Sequence, residues 1–320
     1  ANAPHVPVHL GAMGHTVRQM IEHFDEMSPG DCYLSNDPFA GGSHLPDITV
    51  VTPVFCKPPL PQWERVFFQH PPFLGGSGFM PGVVPVASSP TSQLDSPEGR
   101  VGQAKPDFFI ASRAHHAEIG GRTPGSMPPD ATCLAEEGVV LRNVALVKNG
   151  VSREDDLREL LSSGLFPSRT PAENLSDIAA QQAAGVHGAV ALAELADSYS
   201  VQAIDLLMGR LLDVAGHGVA NWIEQLPTTP MHFEDALDDG SPIAVDLQRH
   251  DSRLAIDFSG TAPVHPGGFN ATPSIVTAAV LYVLRCVSGS NLPLCDGVLR
   301  QIDLQIPVGM LNPPANDDPS

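Results

Sequence analysis

The sequence predicts an α+β fold with mixed sheets and a central helical section. Three observations support it: β-branched, strand-like runs within residues 1–150, a Leu- and Ala-rich helical pattern over residues 151–226, and a return of strand-like alternation within residues 227–320. A strand block, a helix block and a second strand block favour α+β over a regular alternation of strands and helices. With 320 residues and 42% apolar side chains, the chain can bury a sizeable core.

The first part, residues 1–150, is predicted to be mainly β-structure. Apolar residues recur at helical spacing in "HTVRQMIEHFDEM", so one helix is expected before a strand around residues 32–34. The run "ITVV" at residues 48–51 is typical of a buried strand, and "DFFIASRAHH" and "GVVLRNVALV" predict two more. Residues 57–107 are rich in Pro, Gly and Ser and show no sustained period, which indicates a loop insertion.

The middle part is predicted to be helical and the last part mixed. Leucines at helical spacing begin a helix near Glu154, and the Ala-rich run after it predicts a long helix capped by Asn174 or Ser176. Another helix is expected through residues 203–211. Beyond it, "PIAVDLQRHDSRLAIDFSG" predicts a β-hairpin, residues 274–287 predict a helix, and "RQIDLQIPV" predicts a final strand.

Composition excludes several classes of protein. The formal net charge of −19, from 36 acidic and 17 basic residues, repels phosphate backbones and anionic lipids, so we expect neither nucleic acid nor a membrane as partner. No apolar run approaches 20 residues and no leader segment is recognisable. The five cysteines are scattered and contain no C-x-x-C, which indicates a reducing, cytoplasmic compartment rather than a disulfide framework.

The strongest chemical signal is a pair of histidine-bearing segments. In "GGSHLPDITVV", His44 and Asp47 stand three residues apart, directly before a predicted strand. Imidazole and carboxylate together suit Zn²⁺, Mn²⁺ or Fe²⁺, and catalytic sites usually gather three protein ligands. A third ligand is expected from "RAHHAEIGG", which contains His115 and His116. Adjacent strand residues point to opposite faces, so only one of the two is expected to bind the metal.

Each segment also has a purely structural explanation. Asp and Pro are ordinary turn residues, so Asp47 is compatible with a turn-stabilising role and His44 with a surface position. His115 and His116 are compatible with structural histidines whose ring nitrogens are hydrogen bonded. Only the two segments together make a metal site as plausible as these alternatives, because a ligand set needs both.

Four long motifs resemble the hydantoinase B/oxoprolinase family. They are "GDCYLSNDPFAGGSHLPDITVVTPVF", "ASRAHHAEIGGRTPGSMPPDAT", "SRTPAENLSDIAAQ" and "DFSGTAPVHPGGFNATPSIVTAAVLYVLRC". The resemblance implies ATP-dependent hydrolysis of a cyclic amide such as 5-oxoproline or a hydantoin. It also implies a partner, the hydantoinase A-type ATPase subunit or domain, which would use ATP to phosphorylate the amide oxygen before this chain opens the ring with water.

The resemblance further implies roles for individual residues. The family's ligands fall within the motifs that contain His44, Asp47 and the pair His115-His116. We assign His44, Asp47 and His116 as ligands of a divalent metal (Zn, Mn or Fe), and His115 as a catalytic residue, although either histidine of the pair fits the ligand role. No other cofactor is expected on this chain.

Two more residues receive catalytic roles. Asp37 is assigned as the base or as the group that orients a ligand, because a carboxylate beside a metal site can accept a proton from water. Arg113 is assigned to pair with the anionic phosphorylated intermediate, with surface pairing as the alternative. The active assembly is expected to be an oligomer.

The chain departs from the family in three places. Glu118 stands where Asp is usual, and the segment that includes residues 57–107 is normally a short hairpin. Family members continue beyond "NPPANDDPS", so the part formed by residues 227–320 is expected to be truncated relative to them. Two functional alternatives therefore stay open: a subunit of an ATP-dependent ketone carboxylase, and a catalytically silent fragment.

Overall fold

The computed structural model describes residues 11–56, 105–126, 128, 130–288 and 292–315. It confirms the α+β class, with helices and two separate sheets. The loop insertion predicted at residues 57–107 lies outside the described residues except for its last three positions.

The described helices and strands alternate irregularly along the chain. The helices are α1 (Met13–His23), α2 (Leu134–Glu137), α3 (Glu154–Leu161), α4 (Pro171–Tyr199), α5 (Val201–Ile223) and α6 (Pro273–Val287), with 3-10 turns at Pro38–Ala40 and Asp296–Gln301. The strands are β1 (Cys32–Ser35), β2 (Asp47–Val54), β3 (Phe108–His115), β4 (Val144–Lys148), β5 (Val151–Ser152), β6 (Met231–Ala236), β7 (Pro242–His250), β8 (Arg253–Asp257) and β9 (Ile302–Gln305). Within the described part of the chain, no helix is both long and apolar enough to cross a bilayer.

The first sheet is antiparallel, in the order β3-β2-β1-β4-β5, and helices cover both of its faces. Leu34, Ile48 and Val50 pack with residues of α3 and α4 on one face, whereas Tyr33 and Val51 pack against α1 on the other. All eight residues of β2 are buried as a result. Each fully buried aliphatic side chain contributes about 1.5–3 kcal/mol to folding stability. The sheet is therefore a rigid base for the side chains at the ends of its strands.

The second sheet runs in the order β6-β7-β8-β9. Its strands are antiparallel except for the parallel pair β8–β9. The C-terminal half of α5, through Val219 and Ile223, packs with Leu254 of β8 and Leu284 of α6. Strand β6 forms one edge, and five of its six residues are exposed. This sheet is therefore anchored mainly through β8, and its β6 edge lies at the surface.

Several element boundaries differ from those expected from sequence. Helix α4 begins at Pro171 with Thr170 at the N-cap position, rather than at Asn174 or Ser176, because proline fits the first helical position. Residues 138–143, expected within a strand, precede β4. Strand β6 was not predicted, because its mostly exposed residues give no alternation of buried and exposed positions.

Candidate metal centre

The candidate centre lies where β2 begins and β3 ends. These strands are antiparallel, and Asp47 and His115 are direct cross-strand partners. Directly opposite residues project from the same face of a sheet, so their side chains meet. His115 Nδ1 lies 3.1 Å from Asp47 Oδ1. Two segments separated by 68 residues are thus brought together by strand register alone.

The third group comes from the turn before β2. The backbone N–H of Asp47 donates to the carbonyl of His44 at 2.9 Å, which closes the turn and brings the His44 ring back over Asp47. His44 Nδ1 lies 2.8 Å from Asp47 Oδ2, and His44 Nε2 lies 3.0 Å from His115 Nδ1. The buried carboxylate therefore bridges both imidazoles.

This arrangement fits a divalent metal. One ligand atom from each of His44, Asp47 and His115 can be chosen so that all lie within 4.8 Å of one another. Bonds of about 2.0–2.1 Å in a tetrahedral site place ligand atoms roughly 3.3 Å apart. Two contacts of His115 Nδ1 are close to that spacing, 3.0 Å to His44 Nε2 and 3.1 Å to Asp47 Oδ1. The Asp47 side chain is fully buried, whereas those of His44 and His115 are 28% and 49% exposed, so the cluster is open on its histidine side. An open side is what a catalytic metal site needs.

His116 lies away from this cluster. Its ring is 1% exposed, with Nε2 3.2 Å from Gln181 Oε1 and Nδ1 3.4 Å from Asn174 Nδ2. Burial lowers the pKa of His116, which favours the neutral ring. The two histidines do point in different directions, as expected, but the geometry brings His115 to the cluster and turns His116, the ligand assigned from sequence, toward helix α4.

Asp37 caps the 3-10 turn that precedes the centre. Its Oδ1 accepts the backbone N–H of Phe39 at 3.0 Å, and its Oδ2 accepts Arg142 Nε at 2.9 Å. Both oxygens of this carboxylate already have donors from the protein. The contacts suit a residue that shapes the chain segment before Gly41, which has a φ of +88°.

Arg113 lies under the same segment. Its guanidinium donates to oxygens of three elements, at 2.7–3.2 Å: Thr16 Oγ1 of α1, Gly41 O and Ser43 Oγ before the cluster, and Thr49 Oγ1 of β2. Burial lowers the pKa of Arg113 to about 10, and the charge of Asp47 acts in the opposite direction, so the group stays protonated at neutral pH. The donors expected to bind an anion are instead engaged with the protein.

Sequence reasoning named Glu118 and Asn174 only in other roles and missed Gln181, although all three are buried near the centre. Glu118 accepts hydrogen bonds from Ser168 Oγ and from the backbone N–H groups of Gly120, Arg169 and Thr170. Burial alone would raise the pKa of Glu118, but these donors hold it at about 2. Asn174 and Gln181, seven residues apart on one face of α4, are each 2% exposed. Polar residues at a buried helical spacing were the available signal.

Comparisons with known proteins agree with the resemblance. The hydantoinase B/oxoprolinase family model matches residues 1–71 and 97–320. The chain is 34% identical to 5-oxoprolinase 1 of Arabidopsis thaliana over 98% of its own length, and it spans 23% of that relative.

Two solved structures share the fold. The ATP-dependent caprolactamase from Pseudomonas jessenii superposes with a TM-score of 0.74 at 21% identity, over 98% of this chain and 46% of the caprolactamase chain. Nucleotide-free acetone carboxylase gives a TM-score of 0.68 at 18% identity, over 96% of this chain and 37% of its own. The motifs, the fold and the family match together show that this chain belongs to the hydantoinase B/oxoprolinase family.

Proposed function

We propose that this chain is the metal-dependent, ring-opening part of an ATP-dependent cyclic amide hydrolase. The substrate is a 5-oxoproline- or hydantoin-type ring whose amide oxygen has been phosphorylated by an A-type ATPase subunit or domain. One observation carries the proposal: His44, Asp47 and His115 offer ligand atoms within 4.8 Å of one another on an open edge of a rigid sheet. The 34% identity to a 5-oxoprolinase supports the substrate class.

The three side chains would hold a divalent cation, Zn²⁺, Mn²⁺ or Fe²⁺. Such a cation, when bound, supplies Lewis acidity toward water and the reacting amide carbon. Asp47 neutralises part of the cation's charge and orients both imidazoles, since its two oxygens contact one ring each. One water adds to the activated amide carbon and the ring C–N bond breaks, so the ring nitrogen leaves as an amine and an acyl phosphate remains. A second water hydrolyses the acyl phosphate to the carboxylate and inorganic phosphate.

His115 moves from the catalytic role expected from sequence to a ligand role in this proposal. Asp37 and Arg113 act on the centre indirectly, because the oxygens of one and the donors of the other already bind the protein. Arg113 holds Gly41 and Ser43, and through them the turn that begins at His44. The proposal includes an oligomeric assembly with the ATPase partner in the cytoplasm.

A ketone carboxylase subunit is the second candidate function. The fold match to acetone carboxylase supports it, and a metal centre of the same residue types would serve either reaction. The hydrolase is favoured because this chain is 34% identical to the 5-oxoprolinase over the aligned residues, against 18% identity to acetone carboxylase over the superposed residues.

Metal content and coupled activity test the proposal together. Wild type, His44→Ala and His115→Ala would be analysed for bound metal and then assayed with the A-type partner, ATP and 5-oxoproline. We expect about one equivalent of divalent metal and ring opening in wild type, and loss of both in each variant, because two remaining ligands hold a metal poorly. His232→Ala, which removes an exposed histidine of β6, is the matched control.

Three results would contradict the hydrolase. Retention of metal by His44→Ala and His115→Ala would remove the ligand set. Consumption of ATP with acetone and bicarbonate, but not with 5-oxoproline or a hydantoin, would favour the carboxylase. A metal-loaded wild type that turns over none of these substrates would support the silent fragment.

A further inference from the structure

We infer that Gln181 is a positioning residue of the metal centre, acting through the backbones of both ligand-bearing strands and through the ring of His116. The inference rests on the proposed ligand role of His44, Asp47 and His115. Gln181 is buried in the middle of helix α4, and its side-chain hydrogen bonds go to Ile48, Ser112 and His116 rather than to the three proposed ligands.

The side-chain amide of Gln181 joins the two strands below the cluster. Its Nε2 donates to the carbonyl of Ile48 at 2.9 Å and to the carbonyl of Ser112 at 3.1 Å. Ile48 directly follows Asp47 on β2, and Ser112 precedes His115 by three positions on β3. One amide group therefore fixes the two strand ends relative to each other and relative to α4.

The same contacts determine how the ring of His116 is oriented. Both hydrogens of Gln181 Nε2 are used by backbone carbonyls, so Gln181 Oε1 acts as an acceptor. His116 Nε2 therefore carries the proton and donates to Oε1 at 3.2 Å. The opposite nitrogen, Nδ1, then accepts from Asn174 Nδ2 at 3.4 Å, and Asn174 Nδ2 also donates to the Glu118 carbonyl at 2.7 Å.

The locked ring of His116 fixes the turn that carries the other histidine ligand. The backbone N–H of His116 donates to the carbonyl of Pro46 at 2.8 Å. Pro46 lies between His44 and Asp47, so the position of His116 is transmitted to both ends of the HLPD turn. His115, the residue immediately before it, is set by the same backbone.

The burial of these polar side chains indicates that they do more than pack helix α4 against the sheet. Gln181, His116 and Asn174 are each at most 2% exposed. An apolar side chain at position 181 would pack against the sheet without needing partners, whereas a buried amide costs free energy unless its polar atoms are hydrogen bonded. Here the amide gains its partners only in one geometry of β2, β3 and His116, which is the geometry that gathers the ligands.

Gln181→Met is the direct test, because methionine keeps the length and volume but has no strong donor. Groups that orient metal ligands typically contribute about 10–100-fold in metal affinity, and we expect that loss for Zn²⁺ by chelator competition. We also expect altered absorption bands in the Co²⁺-loaded protein, which report ligand geometry. Leu192→Ala is the matched control: it truncates a buried residue of the same helix that packs with Ile110, and should lower the melting temperature while leaving affinity and spectrum unchanged.

His116→Phe keeps a ring of similar size and the backbone hydrogen bond to Pro46. This variant tests the positioning role if Gln181→Met does not fold. Positioning predicts about 10–100-fold weaker binding with one equivalent still bound at saturating metal. Complete loss of binding would instead make His116 a ligand and overturn the inference, as would wild-type affinity and an unchanged Co²⁺ spectrum in both variants. Failure of wild type to bind metal, or retention by His44→Ala, overturns the proposed function itself.

Discussion

Each sheet region contains a carboxylate with a strongly lowered pKa, and the two carboxylates differ in how far they are buried. Glu118, beside the first sheet, and Asp239, in the turn between β6 and β7, both have a pKa of about 2. Glu118 is 8% exposed, and four donors hold the charged form against the opposing effect of burial. Asp239 is stabilised by the backbone N–H and hydroxyl of Ser241 and by His265, but its side chain is 47% exposed. The same pKa therefore arises in a buried carboxylate at Glu118 and in a solvent-exposed one at Asp239.

The difference extends to whole strands. Every residue of β2 is buried, and the polar side chains of Asp47, His116 and Gln181 near its first residues are buried with their partners. In β6, five of six residues are exposed, and polar groups there exchange protein contacts for water at little cost. The first region therefore encloses polar groups where they fix geometry, and this is the region that carries the candidate centre.

Among changes to polar side chains, the largest expected effect is that of Asn36→Ala. Asn36 is fully buried; its Nδ2 donates to the carbonyls of Leu45 and Val139, and its Oδ1 accepts the N–H of Leu141. Removing the amide leaves three backbone groups without a partner, at about 1–3 kcal/mol each. We expect the free energy of unfolding in urea to fall by about 3 kcal/mol or more.

Gln248→Ala is the corresponding change in the second sheet. Its side chain donates to the carbonyls of Thr228 and Arg249 in a partly exposed setting where water can replace it. We expect a loss of about 1 kcal/mol or less. Equal losses of unfolding free energy in the two variants would show that burial does not separate the two regions.

A smaller effect is expected from the two carboxylates, and it depends on pH. Because the pKa of Glu118 is lowered from 4.5 to about 2, its ionised form stabilises the folded state above pH 4.5, and this stabilisation is lost as pH falls toward 2. The shift corresponds to up to about 3 kcal/mol at neutral pH. We expect Glu118→Gln to lose up to that amount at pH 7 and to lose much less near pH 2.

Asp239→Asn provides the comparison, measured by urea unfolding at the same pH values. Its solvent exposure screens the interactions that lower its pKa, so the variant should follow the wild-type dependence on pH closely. A similar flattening of the pH dependence in both variants would show that enclosure does not separate the two carboxylates.

The smallest effect is expected at Phe233. This large apolar residue of β6 is 64% exposed, so Phe233→Ala removes little buried area and should change the free energy of unfolding by less than about 0.5 kcal/mol. Phe108→Ala in β3, where the ring is 8% exposed, should cost about 3–5 kcal/mol. Thermal and urea unfolding of the pair would test this, and a large loss at Phe233 would place an unrecognised core under β6.

The sequence determined the elements whose signals are local. The periodic segments predicted α1, α3, α5 and α6, and the β-branched run before "TPVF" predicted β2. The three-residue spacing of His44 and Asp47 placed both at one turn, because such a spacing needs no distant partner. The motifs also identified the family, which the family match confirms.

Only the tertiary structure distinguishes His115 from His116, because it places His115 and not His116 in the candidate cluster with His44 and Asp47. The two residues are adjacent and chemically identical, so no local pattern distinguishes them. The choice follows from the register of β2 with β3, which pairs His115 with Asp47, and from Gln181, which holds His116 from 65 residues away. Contacts over such separations depend on how helices pack on a sheet, and periodicity within one segment carries no information about that packing.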